Sequence, residues 1–464
     1  MHKVNIRDKA YLVPEGASLS ALLPQWQEHI EHPCGGRGTC KKCLVYVNGK
    51  AELACQYRIH SDITVEIPQL GEMVSETGIQ TSEKVTEDLC FVLDVGTTTL
   101  ALALVSLNDQ CAVGIKTSTN PQRAFGADIM TRINFCRRSG VKELQRVLVA
   151  EINALIRSFS VPCVDRLYVA GNTTMLHLLL GVDCSSIGVA PYTPVFLDRQ
   201  YRAAEEIGIE GVRAVETLPS IASFVGADLV AGLNFVEMPE AETYSLLVDL
   251  GTNAEILLFS KEKILCTAAA AGPCFEGANI SCGMSATDGA IYAYANGVAT
   301  TIGDQPAKGV CGTGLFDIIA ELLAKETMDA TGFLEEDPFE IAPGVQLTQA
   351  DVRQFQLAKA AVCAGIQTLI QKQAVAYDQI EKVYISGGFS AKINLTNAVK
   401  TGLLPEDLEA KCVCINNSCL QGAVRYACQQ NALEELVARA VYVDLSSDPS
   451  FTDLFVNNMF FAEE

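Results

Sequence analysis

The chain has 464 residues, too many for one compact domain and enough for about two to four. Its 34 Lys and Arg against 55 Asp and Glu give a formal net charge of −21, the wrong sign for neutralising a phosphate backbone or an anionic lipid surface, so neither nucleic acid nor membrane is an expected partner. The opening MHKVNIRDKAYLVPEG lacks the apolar core of a secretory signal, and no stretch reaches the ~20 uninterrupted apolar residues of a membrane span, which predicts a cytoplasmic protein.

Residues 1–68 alternate short apolar runs (VNI, YLV, CLVYV, ITVEI) with turn residues (PEG, NGK, HSD), the pattern of a small mixed sheet. Ser18–His32 follows Gly16 and offers Leu19, Leu22, Leu23 and Trp26 to one side, predicting a helix. Next come Cys34, Cys40, Cys43 and Cys55, spaced C-x5-C-x2-C-x11-C. Four thiolates converging on two sulfide-bridged irons need a tightly curled loop. Gly35, Gly36 and Gly38 permit that curl and leave backbone N–H groups to point at sulfur. Zinc also accepts four thiolates, but structural zinc sites favour two C-x2-C knuckles and one is present here, so the spacing predicts a 2Fe–2S cluster.

The chain holds 18 cysteines, and most of those outside this set stand singly in apolar segments (Cys136, Cys163, Cys266, Cys363, Cys428). In a reducing compartment such residues act as small core hydrophobes. Cys412, Cys414 and Cys419 raise a second metal site, but no fourth ligand stands nearby and packing is expected. So many thiols suit an anaerobic cell.

Residues 69–88, rich in charge and poor in large apolar side chains, read as a linker. Beyond it FVLDVGTTTLALALV (Phe91–Val105) predicts a buried strand, a DxGTTT turn and a second strand, and SLLVDLGTNAEILLF (Ser245–Phe259) repeats it. Each is followed by a strand running into a glycine turn, LYVAGNTT at Leu167–Thr174 and VYISGGFS at Val383–Ser390. The order marks an internal duplication, with halves at 89–240 and 241–464. In each turn the aspartate, Asp94 or Asp249, can orient a water or hold Mg2+, while glycine lets the backbone approach phosphate oxygens. Thr97 and Thr98 after Gly96, and Thr252 and Asn253 after Gly251, add donors. Two such turns across a cleft would clamp the phosphates of ATP with their cation. Gly312 and Gly314 precede an apolar helix whose N-terminus suits a phosphate, although tight packing explains them equally. Glu255 is a candidate for holding a cation's water shell and Glu276 for lining the cleft, with a solvated hairpin end and an ordinary glycine-rich loop as the plain alternatives. His177 reads as a core histidine.

The cysteine stretch resembles the 2Fe–2S ferredoxin domain of the β-grasp fold. Residues 89–464 resemble the superfamily of acetate and sugar kinases, heat-shock chaperone ATPases and actin, a duplicated ribonuclease-H-like α/β fold. In that superfamily a late glycine pair such as Gly387 and Gly388 contacts adenosine. More specifically, NPQRAFGADIMTRI, AGNTTMLHLLLGVD, APYTPVF, SFVGADLVAG, AAAGPCFEGANISCGM, GVCGTGLFD, LTQADVRQFQLAKAAVCAGI and VYVDLSSDPSF resemble successive signatures of the reductive activators of corrinoid proteins. This resemblance implies an ATP-dependent iron–sulfur reductase that returns a corrinoid cobalt from Co(II) to Co(I). It also implies a corrinoid protein partner, either an iron–sulfur protein or one associated with a methyltransferase, as well as a low-potential electron donor and a homodimer.

The chain departs from that pattern in its short linker, where such proteins carry a further domain. It also reads GTNAE for GTNGE, GGFS for GGFG, and NNSCLQGA for a GN-type turn. The alternatives are a small-molecule kinase with a regulatory ferredoxin domain, and a redox-controlled interaction protein gated by ATP.

Overall fold

The computed structural model describes residues 1–67 and 88–461, apart from 8, 27, 29, 31–35, 37, 39–42, 389 and 431. The expected linker, Cys34 and Cys40 therefore lie outside the described residues.

The first 67 residues form a five-stranded mixed sheet from β1 (His2–Ile6), β2 (Lys9–Val13), β3 (Leu44–Val47), β4 (Lys50–Leu53) and β5 (Ile63–Glu66), in the order β2-β1-β5-β3-β4. Burial alternates along β3 and β5, so one face is solvated while Val4, Ile6, Val45, Val47, Ile63 and Val65 close a small core with Leu19 and Leu23. The expected helix over Ser18–His32 is shorter: helical turns span Leu19–Leu22 and continue as a 3-10 segment over Leu23–Trp26. Pro24 supplies no N–H to an α-helical bond, so the helix cannot continue in that form. Trp26 stacks on Tyr11, with centroids 4.4 Å apart.

The remainder holds two six-stranded sheets of one design. The first is made from β6 (Leu89–Val95), β7 (Thr99–Ser106), β8 (Cys111–Thr119), β9 (Val164–Gly171), β10 (Gln200–Ala203) and β11 (Val212–Thr217), ordered β8-β7-β6-β9-β11-β10. The second is made from β12 (Tyr244–Leu250), β13 (Ala254–Phe259), β14 (Ile264–Ala269), β15 (Ile380–Ser386), β16 (Cys412–Cys414) and β17 (Ala440–Tyr442), ordered β16-β15-β12-β13-β14-β17. In both, a three-stranded antiparallel meander places its first strand beside a later parallel strand. The near-continuous apolar runs of β6, β7, β12 and β13 are buried because helices cover the sheets.

Among the helices, α1 (Ile129–Ser139), α2 (Lys142–Ser158) and α3 (Thr173–Leu179) serve the first sheet. The second half carries α5 (Gly312–Ala324) and α6 (Gln349–Gln373), the latter opened by a capping box between Thr348 and Asp351. Helices α4 (Ala227–Phe235) and α7 (Ser418–Gln429) join the halves. Helix α4 follows the first sheet yet buries Leu229 and Leu233 with Leu247, Leu257 and Phe259 of the second. Helix α7 follows the second sheet yet packs Cys419, Leu420 and Ala423 into the first core. They touch closely, since a Cβ on Gly422 would lie 1.7 Å from the Ala231 carbonyl oxygen.

The crossing predicts a contrast. Gly422→Ala is expected to destabilise by about 2–3 kcal/mol in urea unfolding. Gly388, whose Cβ would meet nothing within 4 Å, should tolerate alanine within about 0.5 kcal/mol.

Candidate functional site

The carboxyl ends of β6 and β9, and of β12 and β15, carry the site, as expected where parallel strands end at a crevice. Asp94 stands opposite Ala170 in the parallel register, one position before Gly171, and Asp249 stands opposite Ser386, one position before Gly387. The two aspartates are therefore equivalent points of the duplication.

The first turn is held from behind. Gly96 O accepts from Asn120 Nδ2 at 2.8 Å, Thr98 O from Asn120 N at 2.9 Å, and Thr97 O from an Arg132 guanidinium nitrogen at 2.5 Å. With three consecutive carbonyls tied back, amide and hydroxyl donors are what the turn offers an anion. Asn172, the cap of α3, donates from Nδ2 to Thr97 Oγ1 at 3.1 Å and accepts from Met175 N at 2.9 Å. Arg132 is fully buried and also donates to Gly126 O at 2.9 Å. Burial, with Arg123 nearby, lowers its pKa to about 9.

The second turn closes with Gly251 N donating to Asn253 O at 2.9 Å. Glu276 links the turns: its Oε2 accepts from Thr252 Oγ1 at 3.1 Å and from Thr98 Oγ1 at 3.4 Å. Gly387, at φ +115°, lies where a Cβ would meet Leu250 O at 2.1 Å, so the second glycine turn hugs the strand bearing Asp249. Gly388 faces open space. Gly312 and Gly314 lie within the first turn of α5 rather than before it. Their Cβ atoms would sit 1.9 Å from Phe275 O and 2.2 Å from Ile291 O, so close packing accounts for both glycines.

Sequence reasoning missed Asn417, Asp228 and Arg132. Asn417 caps α7, accepting from Leu420 N at 2.8 Å, and donates from Nδ2 to Asp94 Oδ2 at 3.0 Å. This is the turn written NNSCLQGA, and an Asn before a helical run is the one signal that marked it. Cys419 lies beside Asp94 and favours its ionised form. It packs in the first core, while Cys412 and Cys414 pack against the second, so the three do not form one site. His177 is buried as expected, with Nδ1 2.7 Å from Thr173 O and Nε2 accepting from Val195 N at 3.1 Å.

The half-buried carboxylates share one strained electrostatic field. Burial raises Asp94, opposed by Cys419 and Asn417. Asp249 is pushed up to about 6 by burial and then by the Asp94 charge, with Ser386 opposing. Asp228, on α4, is pushed up to about 7 by burial and then by Asp249. Burial, then Asp228 and Asp249, hold Glu255 well above the usual carboxylate range. Among the described residues no three His, Cys, Asp or Glu side chains form a ligand set of their own. Hard oxygen donors without a closed cage fit Mg2+, which keeps waters and binds through substrate phosphates.

In the N-terminal sheet the β3–β4 hairpin pairs Leu44 with Leu53, and Ala54 N donates to Cys43 O at 2.9 Å. The hairpin thereby returns Cys55 toward Cys43, which is why eleven residues separate them. Both thiols are buried. Gly36 and Gly38 take φ values of +82° and +77°, and Gln56 Nε2 donates to Gly36 O at 2.9 Å and to Cys55 Sγ at 3.5 Å.

Asp228 makes pH dependence a test. A carboxylate raised in the folded state contributes most stability below its ordinary pKa and loses it as pH rises through the folded value, here between about 4 and about 7. Magnesium-free protein should therefore melt at a lower temperature at pH ~8 than at pH ~5.5, and Asp228→Asn should flatten that difference in thermal melts.

Residues 243–464 match the model of the C-terminal ASKHA domain of RACo, and residues 89–241 match its middle region. A Eubacterium limosum protein named corrinoid activation enzyme RamQ is 26% identical over 561 aligned residues, spanning 93% of this chain and 94% of the relative. That alignment is longer than this chain's 464 residues, so the relative carries insertions that this chain lacks. A Methanosarcina barkeri protein named [Co(II) methylated amine-specific corrinoid protein] reductase is 26% identical over 414 residues, 80% of this chain and 76% of the relative. A solved reductive activator for corrinoid, iron–sulfur protein superposes with TM-score 0.71 at 26% identity, covering 99% of this chain and 98% of that one. With its two equivalent aspartate turns set in an actin-like, sugar-kinase-type ATPase fold, the chain belongs to the family of reductive activators of corrinoid proteins.

Proposed function

We propose that the chain binds ATP with Mg2+ between its two halves and uses that binding to return a corrinoid protein's cobalt from Co(II) to Co(I). The observation that carries this reading is the pairing of two equivalent aspartate turns through Glu276, in a chain whose relatives are named for corrinoid activation and reduction. Gly96, Thr97, Thr98, Gly251, Thr252 and Asn253 would bind phosphate oxygens. Asp94 and Asp249 would hold the cation's water shell and the attacking water, and Gly387 and Gly388 would face the adenosine. Gly312 and Gly314 are left to packing.

Residues 1–68 are proposed as a β-grasp ferredoxin-like domain, 69–88 as a linker, and 89–240 and 241–464 as the ATPase halves. The buried Cys43 and Cys55, the latter with Gly36 beside it, fit cluster ligation, which Cys34 and Cys40 would complete. A 2Fe–2S cluster bound there supplies one-electron transfer. The chain's own contribution is to shield the site, with Gln56 hydrogen-bonded to Cys55 sulfur. A low-potential donor and a homodimer come from the family resemblance. A cytoplasmic location fits cysteines such as Cys266, Cys274 and Cys363, buried singly in the core.

Co(I) corrinoids are stronger reductants than plant-type 2Fe–2S centres near ~−400 mV, so the electron moves uphill. Each ~59 mV for one electron is about 1.4 kcal/mol. A coupling of about 1–3 kcal/mol from nucleotide binding therefore offsets on the order of a hundred millivolts.

Anaerobic visible spectroscopy of the cluster-loaded protein with a Co(II) corrinoid protein and a low-potential reductant tests this. Co(I) absorbance is expected only with Mg-ATP, and Asp249→Ala or Cys43→Ala should slow its appearance by about 100-fold or more. Continued ATP hydrolysis with immobile cobalt across several corrinoid partners would overturn the reading.

A further inference from the structure

Glu276 is not needed to build either phosphate turn, yet it is bonded to both. It ends a short 3-10 segment, Pro273–Glu276, whose Phe275 is locked in an aromatic cluster with Phe316 and Phe355. The adjoining carbonyl of Phe275 lies directly under Gly312. The main chain there is fixed, so the glutamate side chain is the part free to move. Its carboxylate draws on the Thr252 and Thr98 hydroxyls, and the positive charges of Arg123 and Arg132 favour its ionised form against the cost of burial. Two hydroxyls, two nearby guanidinium groups and a glycine turn so close that a Cβ on Gly251 would come 3.9 Å from Glu276 Oε1 are the surroundings that suit a phosphate oxygen.

We infer that Glu276 is a positioning residue that competes with a nucleotide phosphate for the hydroxyls of Thr98 and Thr252, so that phosphate binding turns its side chain out of the cleft. The inference rests on the nucleotide-binding reading above and adds a sign to it. A carboxylate that served the cation would strengthen Mg-nucleotide binding. One that stands in the phosphate's place weakens it, because two anions cannot share the same donors. The cost in affinity serves geometry: Glu276 joins the two halves through their turns, and its release frees each turn to close on phosphate.

The test is calorimetric titration of the full chain with Mg-ADP and with Mg-AMPPNP, for wild type, Glu276→Gln and Glu276→Ala. Both variants are expected to bind about threefold to tenfold more tightly than wild type, with KM for ATP hydrolysis falling by a similar factor. Weaker binding by Glu276→Gln at an unchanged melting temperature would overturn the inference, as would unchanged affinity in both variants. Should neither variant fold, hydrogen–deuterium exchange of wild type decides. Mg-AMPPNP should protect residues 94–99 while raising exchange across 272–284, and protection of both segments would contradict it. Wild-type protein that binds no adenine nucleotide would remove the functional reading along with the inference, whereas wild-type binding that Glu276→Gln weakens would remove the inference alone.

Discussion

Two aspartates that repel each other, each at the carboxyl end of the central strand of its own sheet, set the terms for the rest of the molecule. Asp94 is the largest charge acting on Asp249 after burial itself, and Asp228 and Glu255 add to the same field. Such a cluster persists where protons or a cation compensate it. The magnesium proposed above, brought by the nucleotide's phosphates, would fill the second role. On that proposal the cleft's electrostatics are completed by its ligand.

That field is tied to the mechanics of the chain. Asp228 lies on α4, and Asn417, which donates to Asp94, caps α7. These two helices cross with backbone almost in contact, and each is buried in the other half's territory. A change in charge around Asp94 and Asp249 is therefore felt at both joining helices. Packed elements at van der Waals contact shift as units rather than deform. Under the proposed function, the crossing is the packed element through which nucleotide binding would act on the rest of the chain.

What was legible in the sequence was local. An apolar run, an Asp-x-Gly and a second apolar run declare a strand, a turn and a strand within fifteen residues, and both copies fold that way at Asp94 and Asp249. The C-x11-C spacing likewise encodes a hairpin. The partners of those motifs were not legible, because contacts set by tertiary packing leave no period in the sequence. Asn417 reaches Asp94 across 323 positions and Glu276 reaches Thr98 across 178. Nothing local in the sequence marks Arg132, yet it is fully buried with its guanidinium on a turn carbonyl. The apolar spacing over Ser18–His32 suits a helix, but Pro24 has no N–H to carry it on as α-helix past the first turn.

If Mg-nucleotide bound between the halves drives the reduction by drawing them together, a distance between them measures it most directly. Spin labels carried by noncanonical residues at the exposed positions Glu206 and Glu335, one on each half, would report it by pulsed electron resonance under anaerobic conditions. Mg-AMPPNP is expected to shorten the distance, and the nucleotide without magnesium to change it less. A distance that stays the same with Mg-AMPPNP bound would contradict it.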